Sequence, residues 1–566
     1  MESVQVHSTE VDGVPVLWVD RTEPGPLHVS LCFRVGKVDE SLPQNGITHL
    51  LEHVVLHGVD QVQDESHHNG SVSNTMTTFV VGGSEDEVCR FLLGVCEGLT
   101  DVPVGHLEHE QRVLEAESAR TKQGPLAHLM MRRFGPAGPG LWWCNDFGAI
   151  NATPDSLRAW SAQHFTRGNA VLILDGNVPD GLQLPLPPGD QLPVPPLVDR
   201  QHGTPLWVAS DFPEIVTHTI VDRSAAAVAW AAIAQQRLVA RLRAGEGIAY
   251  SPSVSYDPYD GGTAQVSAVA DAHPEHLVAA AMGMSDVVEE LAAAGPTEAE
   301  LESYRAQLRR SLDVPPPPVA VAYRQAHDLL HDHPTQSPGE ISADIEALTV
   351  PSVREVGQQA RQRMVYALPA DVSLPPGRAA AVRSRPAGPE MIGSYYRPAT
   401  DEKFLITQAP EGVSWTGPDD EYVAVRYDAC CGVLCWPDGK RVLVNDSGET
   451  LTIEPTLWQS GRGLVSLIDQ STASVRIPMP PRAPDEIPRL APMPAAATTS
   501  AKPVRSKSAA ANRAILSGSV MLGLAGLFGV TGAGAAPGLV WMAAAFGVVN
   551  LTMGLQGLYR NRQRRR

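Results

Sequence analysis

Gly46-Ile-Thr-His-Leu-Leu-Glu-His-Val-Val-Leu56 is the stretch on which the fold and the chemistry both turn. Wound as a helix, it stacks His49 and His53 on one face, so both imidazoles reach a single metal ion. Glu52 stands one residue before His53 and reaches beside that metal without ligating it. A general base belongs there, within reach of the attacking water. The order is H-x-x-E-H, the reverse of the commoner H-E-x-x-H. A catalytic Zn²⁺ usually takes three protein ligands, so one more is needed.

Glu110-Gln-Arg-Val-Leu-Glu-Ala-Glu117 supplies it. Glu110 and Glu117 are seven apart, two helical turns, and share a face. Glu117 is the expected third ligand. Glu110 is the expected supporting carboxylate, orienting a histidine or a water. Glu115 points to another face.

Strands and helices are expected around this centre. Val4 to Asp20 and Leu27 to Val35 alternate as two strands, broken by Glu23-Pro-Gly-Pro. Residues 76–82 read as a further strand. Residues 84–120 read as helical, with Val88, Phe91, Leu92, Val95, Cys96 and Leu99 on one stripe. Residues 178–196 are Pro/Leu-rich and read as a linker. A second series follows, with a strand over 264–270 and helices over 275–294, 298–312 and 352–365. The halves are of similar length, which hints at duplication.

With these residues in view, the chain resembles the pitrilysin/insulinase zinc metallopeptidases over roughly residues 1–395. The resemblance lies in the strand ending at Val35-Gly36, in Asp39-Glu40, in the His49–His53 motif with Gly58, and in Glu110 and Glu117 at the family's spacing. Asn69-Gly70 and Thr77-Thr-Phe79 resemble the family's substrate-binding edge strand. Arg243-Ala-Gly-Glu-Gly-Ile-Ala-Tyr250 is similar to the family's Arg and Tyr motif.

The resemblance implies one Zn²⁺ per chain, held by His49, His53 and Glu117, with Glu52 as base and Glu110 in support. It implies that Arg243 and Tyr250 hold the substrate carbonyl and the oxyanion. In relatives of this size one chain provides half a chamber, so a homo- or heterodimer is implied, with Arg243 and Tyr250 acting on the partner's zinc. The implied activity is endopeptidase cleavage of peptides or unfolded segments. The sequence departs from the family at Gly70, usually Ala, at Val72, often Thr, and in a somewhat short gap between His53 and Glu117. Those changes are expected to alter the edge without touching the metal.

Residues 401–477 change character, with short strands between turn signals such as Pro437-Asp-Gly and Asp446-Ser-Gly. The expected class is α+β: two tandem α/β-roll peptidase-like domains over 1–200 and 201–398, then a small mostly-β domain over 401–477. Residues 478–513 read as a Pro/Ala-rich flexible linker.

The chain carries 63 Asp and Glu against 44 Lys and Arg, a net charge of −19, which argues against a nucleic-acid partner. The charge is uneven. Residues 478–566 hold 11 basic and two acidic residues, leaving a net of −28 for residues 1–477. Residues 514–559 contain no charge and read as two transmembrane helices joined by a Gly/Pro turn, with a basic cytoplasmic tail over 560–566. The start of the chain lacks a basic and an apolar region, so no signal peptide is expected. The expected location is the cell membrane, with two spans in the lipid bilayer and the catalytic part cytoplasmic.

Seven scattered or clustered cysteines read as reduced thiols; Cys430-Cys-Gly-Val-Leu-Cys435 lacks the second half of a zinc site. His327 and His331, four apart before Pro334, read as a solvated helix end, and His67-His68 as an exposed loop. Trp142-Trp143 read as core. Two other functions remain open on these residues: a catalytically silent peptidase-like scaffold, and a membrane adaptor that binds peptides or partners.

Overall fold

The computed structural model describes residues 5–488, apart from 22–24, 61–66, 119–122, 202–204, 246, 314–317, 376, 383–390, 399–403 and 418–420. The first sheet comprises β1 (Val6–Val11), β2 (Val14–Val19), β3 (Leu27–Phe33), β4 (His67–Val72), β5 (Thr77–Gly83) and β6 (Ala170–Leu174). Its helices are α1 (Ile47–Asp60), α2 (Glu85–Thr100), α3 (Leu107–Ser118), α4 (Pro125–Phe134), α5 (Phe147–Asn151) and α6 (Pro154–His164). The second sheet comprises β7 (Leu206–Ser210), β8 (Ile215–Asp222), β9 (Ser253–Pro258), β10 (Thr263–Ala270), β11 (Val365–Pro369) and β12 (Ala380–Ala381). With it come α7 (Ala225–Leu238), α8 (Leu277–Ala293), α9 (Glu298–Asp313), α10 (Pro318–Leu330), α11 (Pro338–Ala347) and α12 (Val350–Gln362).

The strand orders are β1-β2-β6-β3-β5-β4 and β12-β7-β11-β8-β10-β9. Five consecutive strands correspond, β2-β6-β3-β5-β4 to β7-β11-β8-β10-β9. In each set the first pair is parallel and the other three are antiparallel. The duplication hinted at by the lengths is therefore visible in topology and pairing sense.

Alternation along the strands sends side chains to two separate cores. On β8 and β11, Ile215, Val221, Tyr366 and Leu368 meet α7, α8 and α12. Their neighbours Val216, Val365 and Ala367 face Leu129 of α4. In the first sheet, α1 and α2 cover one face. Leu17, Val171 and Ile173 on the other face pack on Ala322, Ala326 and Leu330 of α10. Each half thus lends a helix to the sheet of the other. Arg133 on α4 fixes one of these exchanges. It is fully buried, pairs with Asp199 at 2.6 Å and donates to the His218 carbonyl at 2.8 Å.

Several expectations are corrected. Within the run from 4 to 20, Val6–Val11 and Val14–Val19 form a hairpin, because Asp12 and Gly13 both take positive φ (51° and 82°) and turn the chain. The helix expected over 84–120 is two helices, broken before Leu107 beside Pro103. Its stripe of six apolar residues is nonetheless buried as expected. The Pro/Leu-rich stretch is not a free linker: Leu182, Leu184 and Leu186 are buried, and Leu184 N–H donates to Asp12. His331 is buried rather than solvated. Its Nδ1 lies 2.8 Å from the His327 carbonyl and its Nε2 2.9 Å from the Thr75 hydroxyl. Trp142 is 43 % exposed, and its indole N–H donates to Asn74.

The C-terminal part forms a separate compact unit. Strands β13 (Ser394–Tyr396), β14 (Leu405–Ala409), β15 (Gly412–Thr416) and β16 (Tyr422–Arg426) make one antiparallel sheet. A second has the order β19-β18-β17-β20, from β17 (Cys430–Cys435), β18 (Arg441–Asn445), β19 (Thr450–Ile453) and β20 (Arg476–Pro478). Both sheets and α13 (Gly461–Ser471) share one core around Val413, Val433, Leu443 and Leu464. Cys430 and Cys435 are buried thiols in it, and Cys431 is half-buried. The expected linker begins later than residue 478, because Arg482 clamps the chain to Glu454 and Asp438 at 2.8 Å.

The expected membrane location is also corrected. Among the described residues no helix is long and apolar enough to cross a membrane. Residues 514–559, on which the two spans were read, lie outside the described residues, as do 560–566. The reading rested on an uncharged run, which is a property of composition and not of a formed helix.

Candidate metal centre

Glu40 sets up helix α1. Its buried carboxylate accepts from Gly46 N–H at 2.7 Å and Thr48 N–H at 2.9 Å, satisfying donors at the helix start. Burial raises the pKa of this carboxyl, against the opposing charge of Lys37. Arg34 holds the neighbouring Asp39, which in turn accepts from Gly36 N–H at 2.8 Å. Asp39-Glu40, which in the sequence only marked the resemblance, thus anchors the helix. Acidic residues a few positions ahead of a helix start were the signal.

His49, His53 and Glu117 each bring one ligand atom within 4.8 Å of the others. Two nitrogens and an oxygen are a donor set of catalytic zinc centres. A tetrahedral ion with bonds of about 2.1 Å needs its ligand atoms roughly 3.4 Å apart, so small side-chain movements would close the site. Burial, then the charge of His53, pulls the His49 imidazole down to about 4. The ring is therefore neutral at ordinary pH, the form that ligates. Glu110 Oε2 lies 3.2 Å from His53 Nδ1, which leaves Nε2 for a metal. On these grounds the residues present fit a Zn²⁺ ion.

Glu52 is 4 % exposed. Its Oε2 stands 3.7 Å from His49 Nε2 and 4.0 Å from His53 Nε2. The carboxylate thus borders both expected ligands. Asn69 and Gly70 lie on β4, the outermost strand of the first sheet, paired with Val80 and Phe79 of β5. The exposed loop expected at His67-His68 is the start of this strand.

Two expectations about the edge are corrected. Thr77 and Phe79 sit on β5, behind the edge, and both are fully buried. Thr77 hydroxyl donates to the Val35 carbonyl, and Phe79 meets Phe33 edge-on, so neither faces an added strand. Gly70 is not remote from the chemistry either. A methyl on it would stand 2.0 Å from Glu52 Oε1 and 2.7 Å from Cγ, so the Glu52 side chain occupies the space an alanine would fill.

Arg243 and Tyr250 are brought together. Arg243 lies in the last turn of a π-helical segment, Val239–Gly245, and its guanidinium lies 5.9 Å from the Tyr250 ring. Such wider turns recur at functional sites. Tyr250 is 80 % exposed, unusual for an aromatic. Among the described residues, no hydrogen bond, ion pair or ring contact links either residue to His49 or His53.

Residues 204–308 match the family described as the peptidase M16 inactive domain. That span covers strands β7–β10 and holds Arg243 and Tyr250; the His49–Glu117 cluster lies outside it. No curated protein matches the chain. Solved structures do. A protease from Helicobacter pylori matches with a TM-score of 0.54 at 16% identity, over 66% of this chain and 100% of the other. The first half of the periplasmic protease PqqL from Escherichia coli gives 0.51 at 13%, over 65% and 92%. Pitrilysin gives 0.50 at 14%, over 65% of this chain and 45% of pitrilysin. At these identities the likeness speaks for the fold. Residues 204–308 thus match the peptidase M16 inactive domain, and the two-sheet part of the chain shares its fold with these pitrilysin-like and PqqL-like proteases.

Proposed function

We propose that the chain is a zinc-dependent endopeptidase of the insulinase type, cleaving peptides or unfolded segments. One observation carries the reading: His49, His53 and Glu117 converge, with the Glu52 carboxylate bordering both imidazoles. When bound, Zn²⁺ would polarise the scissile carbonyl and ease deprotonation of the water beside it. Glu52 takes the proton of the attacking water and returns it to the leaving amine. An extended peptide adds to the outer edge of β4, where backbone hydrogen bonds give affinity and adjacent pockets give choice. Glu110 holds the His53 ring through Nδ1. Arg243 and Tyr250 stabilise the oxyanion, in the zinc site of a second copy or a related chain.

Glu52→Gln tests the reading. The variant keeps its zinc and its peptide binding but loses cleavage. Unchanged turnover would remove Glu52 from the base role, and a purified protein that takes up no zinc would sink the enzyme reading. Arg243→Ala chains mixed with Glu52→Gln chains regain activity if the two half-sites act across a dimer.

The competing reading is a silent peptidase-like scaffold. The match to an inactive domain favours it only for residues 204–308, which do not include the cluster.

A further inference from the structure

Helix α1 carries a third histidine on the same face as His49 and His53. His57 is one turn beyond His53 and is not part of the H-x-x-E-H motif. Helix α3 meets it with His109 and Glu110. His57, His109 and Glu110 each offer a ligand atom, all within 4.8 Å of one another. Glu110 Oε1 lies 2.8 Å from His57 Nδ1 and 3.9 Å from His109 Nε2. Those separations bracket the roughly 3.4 Å that a tetrahedral ion with ~2.1 Å bonds requires. The His106 ring lies 4.3 Å from that of His57, so a third imidazole stands beside the cluster.

Glu110 is buried, at 5 % exposure, and its described ion-pairing neighbours are all imidazoles: His53, His57 and His109. A buried carboxylate needs positive charge close by, and none of these neighbours is a Lys or Arg. A divalent ion would. We propose that His57, His109 and Glu110 form a second metal site, for Zn²⁺ or another imidazole-seeking divalent transition ion. Glu110 then serves two centres. Its Oε2 steadies His53, and its Oε1 ligates the second ion. The two sites sit in a row along α1 and share one carboxylate. The second is weaker, because one of its ligands, His109, is exposed and must be ordered.

The test is zinc stoichiometry of the full chain, by equilibrium dialysis against Zn²⁺ and by Co²⁺ absorption, without reference to turnover. Wild type is expected to hold two ions. His109→Ala, which truncates an exposed side chain, is expected to hold one, as is His57→Gln. His276→Ala, a control at a half-buried histidine beside Glu275, is expected to keep two. Wild type binding one ion that His109→Ala retains would overturn the proposal. Two ions retained in both His57→Gln and His109→Ala would also overturn it. His49→Ala separates this site from the peptidase centre. If only the peptidase reading fails, wild type holds a single ion that His49→Ala keeps and His109→Ala loses.

Discussion

Gly70→Ala is the sharpest test of how the candidate base is held. The added methyl would lie 2.0 Å from Glu52 Oε1, 2.6 Å from Cδ and 2.7 Å from Cγ. Ordinary contact begins at 3.4 Å, so the oxygen would have to retreat by about 1.4 Å. Rotating the carboxylate alone does not relieve the clash, because Cγ is also too close. Glu52 is buried, so the whole side chain must change rotamer or β4 must withdraw. A misplacement of ~1 Å in a catalytic group can cost about 100-fold, or roughly 2.7 kcal/mol of barrier. The three atoms nearest the methyl all belong to Glu52 and none to His49, His53 or Glu117. We therefore expect kcat on a quenched fluorescent peptide to fall about 100-fold while bound zinc, read by atomic absorption, stays the same. Gly105→Ala is the control, since a methyl there meets nothing within 4 Å. If Gly70→Ala retained kcat within about threefold at equal zinc content, Glu52 would not depend on this packing and the argument fails.

Glu110→Gln should weaken zinc at the His49–His53 centre by about 10–100-fold in chelator competition, because the charged partner of His53 Nδ1 is lost. Arg133→Ala removes the fully buried member of the Arg133–Asp199 ion pair, and about 3–5 kcal/mol of stability should be lost, seen as a lower urea midpoint. Burial holds the imidazoles of His164 and His331 down at about 4. The unfolded chain takes up those protons near pH 6.5 and the folded chain does not. Stability present above that pH is therefore lost as pH falls toward 4, by up to ~3 kcal/mol per residue, and levels off below. His164→Phe should flatten that slope in thermal melts across this window; an unchanged slope would mean the buried ring is not its source.

How far the sequence could be read depended on whether a signal was local. His49, Glu52 and His53 needed only the helical period, and Glu110 with Glu117 needed only two turns of it. The stripe on α2 was legible for the same reason. Thr77 and Phe79 were misplaced because a strand's sequence does not say which neighbour lies outside it, and β4 proved to be the edge. Gly70 looked like a change of edge chemistry. Its contact with Glu52 joins residues on different elements, and no spacing reports that. His331 looked solvated because Pro334 follows it, whereas its burial comes from α10 crossing to the other sheet. The second cluster went unread because His57 falls just past the motif, and His109 was lost in an acidic run.

The exchange of α4 and α10 means that neither half owns a complete interior. Residues 1–200 expressed alone would leave Leu17, Val171 and Ile173 facing water where α10 belongs. Residues 201–398 alone would bare Val216, Val365 and Ala367. The halves should thus be poor as separate fragments but should reassemble when co-expressed, each acting as a chaperone for the other. A cut in the loop between them would leave them associated. A mutation that loosens the second sheet would be felt at the candidate metal centre of the first half without any change in His49, His53 or Glu117.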